Sequence, residues 1–196
     1  MSDKSKATAT ALDWEKLDSH YDVDAGLILF QKRLDRVRNP RNGKVFERLV
    51  LESCDWVNMV VLDRDRRCVM IRQYRFGVGY TTLETPGGMV DPGEDSATAA
   101  ARELLEETGY VSNKWTYLGG VEPNPAFHAH LCHHWLAEDA HLEQEQTLGD
   151  GEMIAVELMS ETEIRTAVTG GELKHALALS VLSRVFQLWP LPFTHE

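Results

Sequence analysis

Gly88-Met-Val-Asp-Pro-Gly-Glu-Asp-Ser-Ala-Thr-Ala-Ala-Ala-Arg-Glu-Leu-Leu-Glu-Glu-Thr-Gly-Tyr110 is the most informative stretch of this 196-residue chain. Asp95 or Ser96 can cap a helix, because a short side-chain oxygen accepts a hydrogen bond from an otherwise unpaired backbone N–H. Strong helix formers fill 97–107, and Gly109 is typical of the residue that follows a helix. The stretch therefore predicts a glycine loop that leads into one regular helix.

The predicted helix carries three glutamates on one face. Glu103, Glu106 and Glu107 are spaced i, i+3 and i+4, so their carboxylates are neighbours and repel one another. Solvent or cations relieve such repulsion, and oxygen ligands at close quarters suit hard divalent ions such as Mg²⁺ or Mn²⁺. A solvated acidic helix face is the alternative interpretation of these three residues alone.

The spacing of the whole stretch favours the metal site. Gly88, five residues, Glu94, seven residues and then Arg102-Glu-Leu-x-Glu-Glu-x-Gly-Tyr110 form a long pattern of fixed positions. This pattern resembles the Nudix box at every defined position. The resemblance implies hydrolysis of a nucleoside diphosphate linked to another group. It also implies an α/β fold, the α/β/α sandwich with a mixed sheet.

Two shorter patterns that precede the box resemble the ADP-ribose pyrophosphatase branch, the nucleoside diphosphate sugar hydrolases. They are Gln73-Tyr-Arg75 and Glu84-x-Pro-Gly-Gly88. The branch implies an enzyme that splits a sugar nucleotide such as ADP-ribose into two phosphomonoesters, for example AMP and ribose 5-phosphate. One alternative is another Nudix substrate, such as a dinucleoside polyphosphate or a capped RNA end. A second alternative is a catalytically silent ligand-sensing module.

The same resemblance implies which residues hold the metal. Glu103 and Glu107, helped by Glu106 and the carbonyl of Gly87, would bind Mg²⁺, with Mn²⁺ as the alternative cation. Arg102 would bond to the box carboxylates and keep them aligned. Arg102 and Glu106 are therefore placed among the catalytic residues.

An acidic residue in a later loop completes the implied site. The segment 142–151 is polar and ends in Leu-Gly-Asp-Gly, which predicts a mobile loop. Members of the branch use an acid here as a general base or an extra metal ligand, and Glu152 matches best. Asp150 and Glu145 are rivals, and simple solvation is the alternative for all three.

The resemblance assigns Arg75 to the substrate phosphates, a task that suits the planar fork of guanidinium donors. The alternative is that Arg75 only pairs with Glu84 or another acid. Pro125 lies sixteen residues after Gly109, near the place of a characteristic proline of the branch. The residues predicted to bind substrate are Arg75, Glu84, Arg48, Phe30, Pro125 and His128.

Residues 1–54 are predicted to be a β-rich extension, and 55–196 the Nudix hydrolase domain. The apolar run 27–30 and the partly alternating run 45–51 flank a turn at 39–43, which predicts a short antiparallel unit. The segment has too few apolar residues for a core of its own, and we expect it to pack across a homodimer; packing within a monomer is the alternative. Its aromatic residues are Trp14, Tyr21, Phe30 and Phe46. The basic residues Arg33, Arg36, Arg38 and Arg41 are interpreted as a connecting segment, either solvated or facing phosphate.

Hydrophobic patterns predict the remaining elements. Strands are expected at 57–62, 68–71, 115–120, 130–137 and 154–159, and helices at 162–169 and 175–188. Four histidines, His128, His130, His133 and His134, raise the alternative of a zinc site. Residues 133 and 134 point to opposite faces of a strand, which argues against it.

Composition limits the class of protein. A formal net charge of −11 disfavours nucleic-acid binding. We expect no membrane association, because no apolar run approaches the roughly 20 residues of a membrane span and no signal segment opens the chain. Three scattered cysteines without a CxxC pair favour reduced thiols and a cytoplasmic protein.

Overall fold

The computed structural model describes residues 29–188, so the predictions for Trp14, Tyr21 and the run 27–28 lie outside the described residues. Within this range there are ten strands and three helices. The strands are β1 (Gln31–Arg38), β2 (Val45–Glu52), β3 (Trp56–Asp63), β4 (Cys68–Arg75), β5 (Tyr80–Glu84), β6 (Gly87–Met89), β7 (Tyr110–Val111), β8 (Lys114–Val121), β9 (Cys132–Leu142) and β10 (Ile154–Met159). The helices are α1 (Ser96–Thr108), α2 (Glu161–Thr169) and α3 (Ala176–Leu182).

A mixed sheet forms the centre of the structure, and helices cover both of its faces. The order of its main strands is β10-β4-β3-β9-β7. In addition, β5 pairs with β4, β6 with β3 and β8 with β9. Only the β3–β9 pairing is parallel among the described strands. Successive side chains of β3 point to opposite faces: Val57, Met59 and Val61 pack with α1, and Val60 and Leu62 pack with α2 and α3. The predicted α/β/α sandwich is confirmed.

The helix of the box forms as predicted. Asp95 is its N-cap and accepts hydrogen bonds from the backbone N–H groups of Ala97 and Thr98 at 2.9 and 3.0 Å. The helix ends before Gly109, whose N–H donates to the Leu105 carbonyl. Leu104 is among the buried residues that pack α1 on the sheet.

The N-terminal hairpin confirms the predicted turn but corrects the first strand. The pairing starts at Arg38 and Val45 on either side of the turn and runs to Gln31 opposite Glu52. The strand therefore occupies the segment that was interpreted as a basic connection, and Leu29 and Phe30 precede it. Opposite charges face each other across the pair, Arg36 with Glu47 and Asp35 with Arg48, which favours this register.

The hairpin exposes apolar side chains on both of its faces. Leu34 and Leu49 lie directly opposite each other and are 54% and 45% exposed. Val37, on the other face, is also exposed. The base of the hairpin joins the main domain where the N–H of Leu51 donates to the Phe127 carbonyl at 2.7 Å. A two-stranded unit of this kind has little stability without a packing partner.

The last helix is shorter than the predicted 175–188. It ends at Leu182, and after Ser183 the N–H groups of Arg184 and Val185 bond to carbonyls three residues earlier. The Arg184 guanidinium donates to the carbonyls of Leu118 and Gly120 on β8, which ties this segment to the sheet. Leu188 is nevertheless buried in the core, so the apolar pattern was correct and the helical extension was wrong.

The predicted strand 130–137 is β9, which begins at Cys132 and places His133 and His134 on opposite faces. His133 contacts the Tyr117 hydroxyl and the Asp55 carboxylate, each at 3.0 Å. His134 is fully buried, and burial lowers its pKa to about 4. These separate surroundings do not form one histidine site. No helix among residues 29–188 is long and apolar enough to cross a membrane.

Candidate active site

The glycine loop passes so close to β3 that a side chain would not fit. Gly87 pairs with Asn58, and a Cβ atom at Gly87 would collide with the Val57 carbonyl and the Asn58 side chain. A Cβ atom at Gly88 would collide with the Glu103 carboxylate. Glycine has no Cβ, so the loop backbone can lie directly against the acidic face of α1.

Arg102 connects the box acids to one another. Its Nη1 donates to Glu103 and Glu106, in both cases at 3.0 Å. Its Nε and Nη2 form a two-pronged contact with Glu94 at 3.1 and 3.0 Å, and Nη2 also donates to the Met89 carbonyl. The Arg102 guanidinium therefore holds three carboxylates and the end of the glycine loop in place, because it offers several N–H donors in a planar arrangement.

Glu107 is the most deeply buried acid of the box, with 5% of the residue exposed. Burial raises its pKa to about 8, although its hydrogen bond from the Gly87 N–H at 2.9 Å works in the opposite direction. The charges of Glu103 and Glu152 raise this pKa further. Burial likewise raises the pKa of Glu103. The two carboxylates thus share a place where negative charge is poorly compensated.

These carboxylates are the residues that could hold a divalent cation. In residues 29–188 no three His, Cys, Asp or Glu side chains already converge as a metal cluster. Glu103 and Glu106 are turned towards Arg102, and Glu107 towards the Gly87 N–H. The donor set nevertheless fits a hard ion, because it offers only oxygen atoms, and burial makes the charge of Glu103 and Glu107 costly without a cation.

The loop after β9 is tied to α1 along its first half, and the expectation that it is mobile stays a prediction. The Glu143 N–H donates to the Gly109 carbonyl and the Thr147 N–H to the Glu106 carbonyl, both at 2.9 Å. The Gln146 side chain donates to the Glu107 carbonyl. This loop therefore brings its acidic end back to the box helix.

Glu152 is a loop acid whose charge acts on the box. It raises the pKa of both Glu103 and Glu107, and its own carboxylate accepts the Gly149 N–H at 2.9 Å. Asp150 and Glu145, its rivals in the sequence, are exposed on the same loop, as Glu152 is. The charge effect on Glu103 and Glu107 therefore favours Glu152, and its role stays a prediction.

Arg75 forms a two-pronged ion pair with Glu84. Its Nε and Nη2 donate to the two carboxylate oxygens at 2.8 and 2.7 Å. This is the ion pair that the sequence analysis gave as the alternative to phosphate binding by Arg75. The charges of Glu107 and Glu152 also raise the pKa of Arg75, so the Arg75–Glu84 pair borders the acidic site. Glu84 is 1% exposed. Burial raises its pKa, but Arg75, His175 and Thr82 together lower it by more, so the net pKa is lowered.

Two other predicted substrate residues lie together at the base of the hairpin. The Phe30 ring is 5.1 Å from the His128 ring and 6.4 Å from the Trp56 ring. His130 completes this aromatic cluster, 4.2 Å from Trp56 and 5.2 Å from His128. Trp56 pairs with Met89 in the β3–β6 ladder, so the aromatic cluster borders the glycine loop.

Arg48 and Pro125 are not brought to either place by a described contact. Arg48 lies over the Phe46 ring at 4.5 Å and donates to the Glu47 carbonyl, both within the hairpin. Pro125 is exposed in the turn that follows β8. Their assignment to substrate binding stays a prediction.

The structure also brings together residues that the sequence analysis did not assign to the substrate; of these, only His130 was named there, as a possible zinc ligand. Thr82 and His175 contact Glu84, and Trp56 and His130 belong to the aromatic cluster. None of these positions carries a local motif. Only the pairing of Thr82 and Glu84 on one face of β5, two residues apart, was available as a signal.

Replacing Glu107 should stabilise the metal-free protein at alkaline pH. The folded pKa of about 8 exceeds the ordinary value of 4.5, so folding favours the protonated acid and loses stability as pH rises through this window. The Glu107→Gln variant escapes this loss. Its melting temperature in chelator should exceed that of the wild type by several degrees at pH 9 and match it near pH 4. Glu161→Gln, on the exposed face of α2, is the control and should show no such trend.

Comparison with known proteins agrees with this arrangement. The NUDIX domain family matches residues 55–179. The chain is 31% identical over 116 residues to an ADP-ribose pyrophosphatase of Bacillus subtilis, covering 59% of this chain and 63% of that protein. It is 33% identical over 131 residues to an ADP-ribose pyrophosphatase of Mycobacterium tuberculosis, covering 62% and 63%. The matches thus span less than two thirds of these relatives.

The fold also resembles a solved structure. A crystal structure of an ADP compounds hydrolase superposes with a TM-score of 0.65 at 23% identity, over 82% of this chain and 94% of that one. At this identity the likeness concerns the fold alone. The family match covers more than half of the chain and contains the whole acidic helix and its glycine loop. The chain therefore belongs to the NUDIX domain family.

Proposed function

We propose that this protein is a hydrolase that cleaves the diphosphate bond of nucleoside diphosphate sugars such as ADP-ribose, with Mg²⁺ or Mn²⁺ as cofactor. The products would be a nucleoside monophosphate and a sugar phosphate. The observation that carries the proposal is the close approach of the glycine loop to the acidic face of α1. The Gly87 N–H donates to Glu107 at 2.9 Å, and Gly88 lies directly against the Glu103 carboxylate. Arg75, held by Glu84, supplies the cation at the border of this acidic face. A site that combines unbalanced carboxylates with one guanidinium suits a polyanion that arrives with divalent cations.

The box glutamates and the glycine loop would hold the cation. Glu103 and Glu107 are the principal ligands, with Glu106 and the Gly87 carbonyl beside them. When bound, Mg²⁺ neutralises the diphosphate and makes a nearby water molecule more acidic. Arg102 keeps Glu103 and Glu106 in place through its hydrogen bonds at 3.0 Å.

Glu152 and Arg75 would act on the substrate side. Glu152 accepts the proton of the attacking water, as a carboxylate within reach of that water can. Arg75 binds a phosphate oxygen through the N–H groups that Glu84 does not use. The diphosphate then lies between an anionic metal site and a cationic anchor, which orients the bond that breaks.

The aromatic cluster would bind the nucleoside, and the hairpin would contact a second chain. Phe30 and His128 offer ring faces beside the glycine loop on which a nucleobase can stack. The hairpin exposes Leu34 and Leu49 at 54% and 45%. Apolar surface of this kind favours a protein partner, and we place a second copy of the chain against it to form a homodimer.

The first test is hydrolysis itself. The wild type with Mg²⁺ should release AMP and ribose 5-phosphate from ADP-ribose in a phosphatase-coupled screen that also contains dinucleoside polyphosphates and capped RNA. Glu107→Gln should lower kcat by at least about a hundredfold, the scale of losing an electrostatic stabiliser.

Glu161→Gln is the matched control and should keep wild-type turnover. Full activity of Glu107→Gln at saturating Mg²⁺ would exclude the metal assignment. Failure of the wild type on every substrate of the screen would instead favour the ligand-sensing alternative.

The second test identifies the loop acid. Glu152→Gln should lower kcat while KM stays within about threefold, because a group that acts on water alone contributes little to substrate binding. Asp150→Asn and Glu145→Gln are the controls and should retain kcat. If all three variants turn over like the wild type, no acid of this loop is the general base.

The third test concerns assembly. Static light scattering should give the mass of two chains, and Leu34→Lys together with Leu49→Lys should reduce it to one. Val78→Lys replaces an apolar residue of similar exposure on the β4–β5 turn and should leave the dimer intact. A wild-type mass of one chain at every concentration would contradict the homodimer.

A further inference from the structure

We propose that His175 is a positioning residue for Arg75 and acts through the buried carboxylate of Glu84. The inference rests on the proposed function in one respect, namely that Arg75 binds a substrate phosphate. His175 precedes α3 and lies a hundred residues from Arg75 in the sequence. The fold nevertheless places both against the same carboxylate.

The side chains of Arg75, Thr82 and His175 surround the Glu84 carboxylate. A carboxylate offers about four acceptor positions on its two oxygens. Oε1 accepts from Arg75 Nε at 2.8 Å and from the Thr82 hydroxyl. Oε2 accepts from Arg75 Nη2 at 2.7 Å and lies 3.5 Å from His175 Nε2. At 1% exposure Glu84 is an internal anchor, and its role in substrate binding is indirect.

The helix fixes how the His175 ring is oriented. The Ala178 N–H donates to His175 Nδ1 at 3.3 Å, which caps α3. Nδ1 therefore carries no hydrogen, and a neutral ring has its N–H at Nε2, facing Glu84. Burial lowers the pKa of His175 although the Glu84 charge opposes it, which agrees with the neutral ring. One side chain thus caps a helix and presents a donor to the anchor.

Arg75 needs this anchor because other acids compete for it. The charges of Glu107 and Glu152 also act on Arg75, and its side chain is 41% exposed. A guanidinium free to rotate would pair with those acids and occupy the place of the metal and the attacking water. Thr82 and His175 hold Glu84 in one orientation, so the Nε edge of Arg75 stays bound and its remaining N–H groups are presented to the substrate.

Two substitutions separate the two tasks of the ring. In His175→Asn the side-chain oxygen replaces Nδ1 and keeps the cap, but the side chain no longer reaches Glu84. In His175→Gln the amide nitrogen replaces Nε2 and keeps the donor, but the cap is lost. Ser160→Ala removes the cap of α2, which lies outside the described contacts of Arg75 and Glu84, and serves as the control for a lost cap.

We expect opposite patterns from the two variants. His175→Asn should melt within about 2 °C of the wild type, since asparagine is a good N-cap. Its kcat/KM for ADP-ribose should fall about tenfold, mainly through KM, the scale expected for an outer-sphere partner. His175→Gln should melt several degrees lower, as Ser160→Ala does, and keep kcat/KM within about threefold of the wild type. Equal losses of activity in the two variants, or an unchanged KM in His175→Asn, would overturn the inference.

A spectroscopic measurement keeps this test separate from the proposed function. The Arg75 Nε–H proton, assigned by its disappearance in Arg75→Lys, should exchange slowly with solvent in the wild type and in His175→Gln. It should exchange faster in His175→Asn. If the wild type hydrolyses no nucleoside diphosphate sugar, the proposed function is wrong, while this exchange pattern still tests the positioning role. Equal exchange rates in all three proteins would overturn it.

Discussion

The buried carboxylate of Glu107 is the constraint around which this structure is arranged. A charged acid that is 5% exposed is costly unless hydrogen bonds or cations compensate it. The Gly87 N–H supplies one hydrogen bond, and it can do so only because the loop lies directly on β3, where a side chain would collide. The glycine loop, the start of the central strand and the last turn of the helix are thus parts of one electrostatic arrangement.

The two arginines near the site each form ion pairs with a different set of carboxylates. Arg102 forms ion pairs with Glu94, Glu103 and Glu106, whereas Arg75 forms its ion pair with Glu84. Neither guanidinium neutralises Glu107 by direct contact. The excess negative charge therefore stays at the point where a hard cation fits, and the positive charge stays at its border. Under the proposed function, this separation would let a protein with a net charge of −11 bind a polyanionic substrate beside its acidic site.

The box helix could be predicted from the sequence, because its cap, its periodicity and its terminal glycine are all local signals. The position of β1 could not, since pairing with β2 sets the register and places a strand in a segment of mostly charged residues. The end of α3 depends on Arg184, which reaches carbonyls 66 and 64 residues earlier in the chain. The contacts that hold Arg75 could not be predicted from the sequence either, because Glu84 and His175 are far apart in the chain and come into contact only in the folded protein.

His134, buried in β9, makes the fold sensitive to acid. Neither of its ring nitrogens has a hydrogen-bond partner among the described residues, and its pKa is lowered to about 4 from an ordinary 6.5. The unfolded chain takes up a proton at this residue before the folded chain does, so stability declines as pH falls from about 6.5 towards 4. Each unit of that pKa difference corresponds to about 1.4 kcal/mol. A histidine with no assigned role in the active site thereby makes the central sheet less stable in acid.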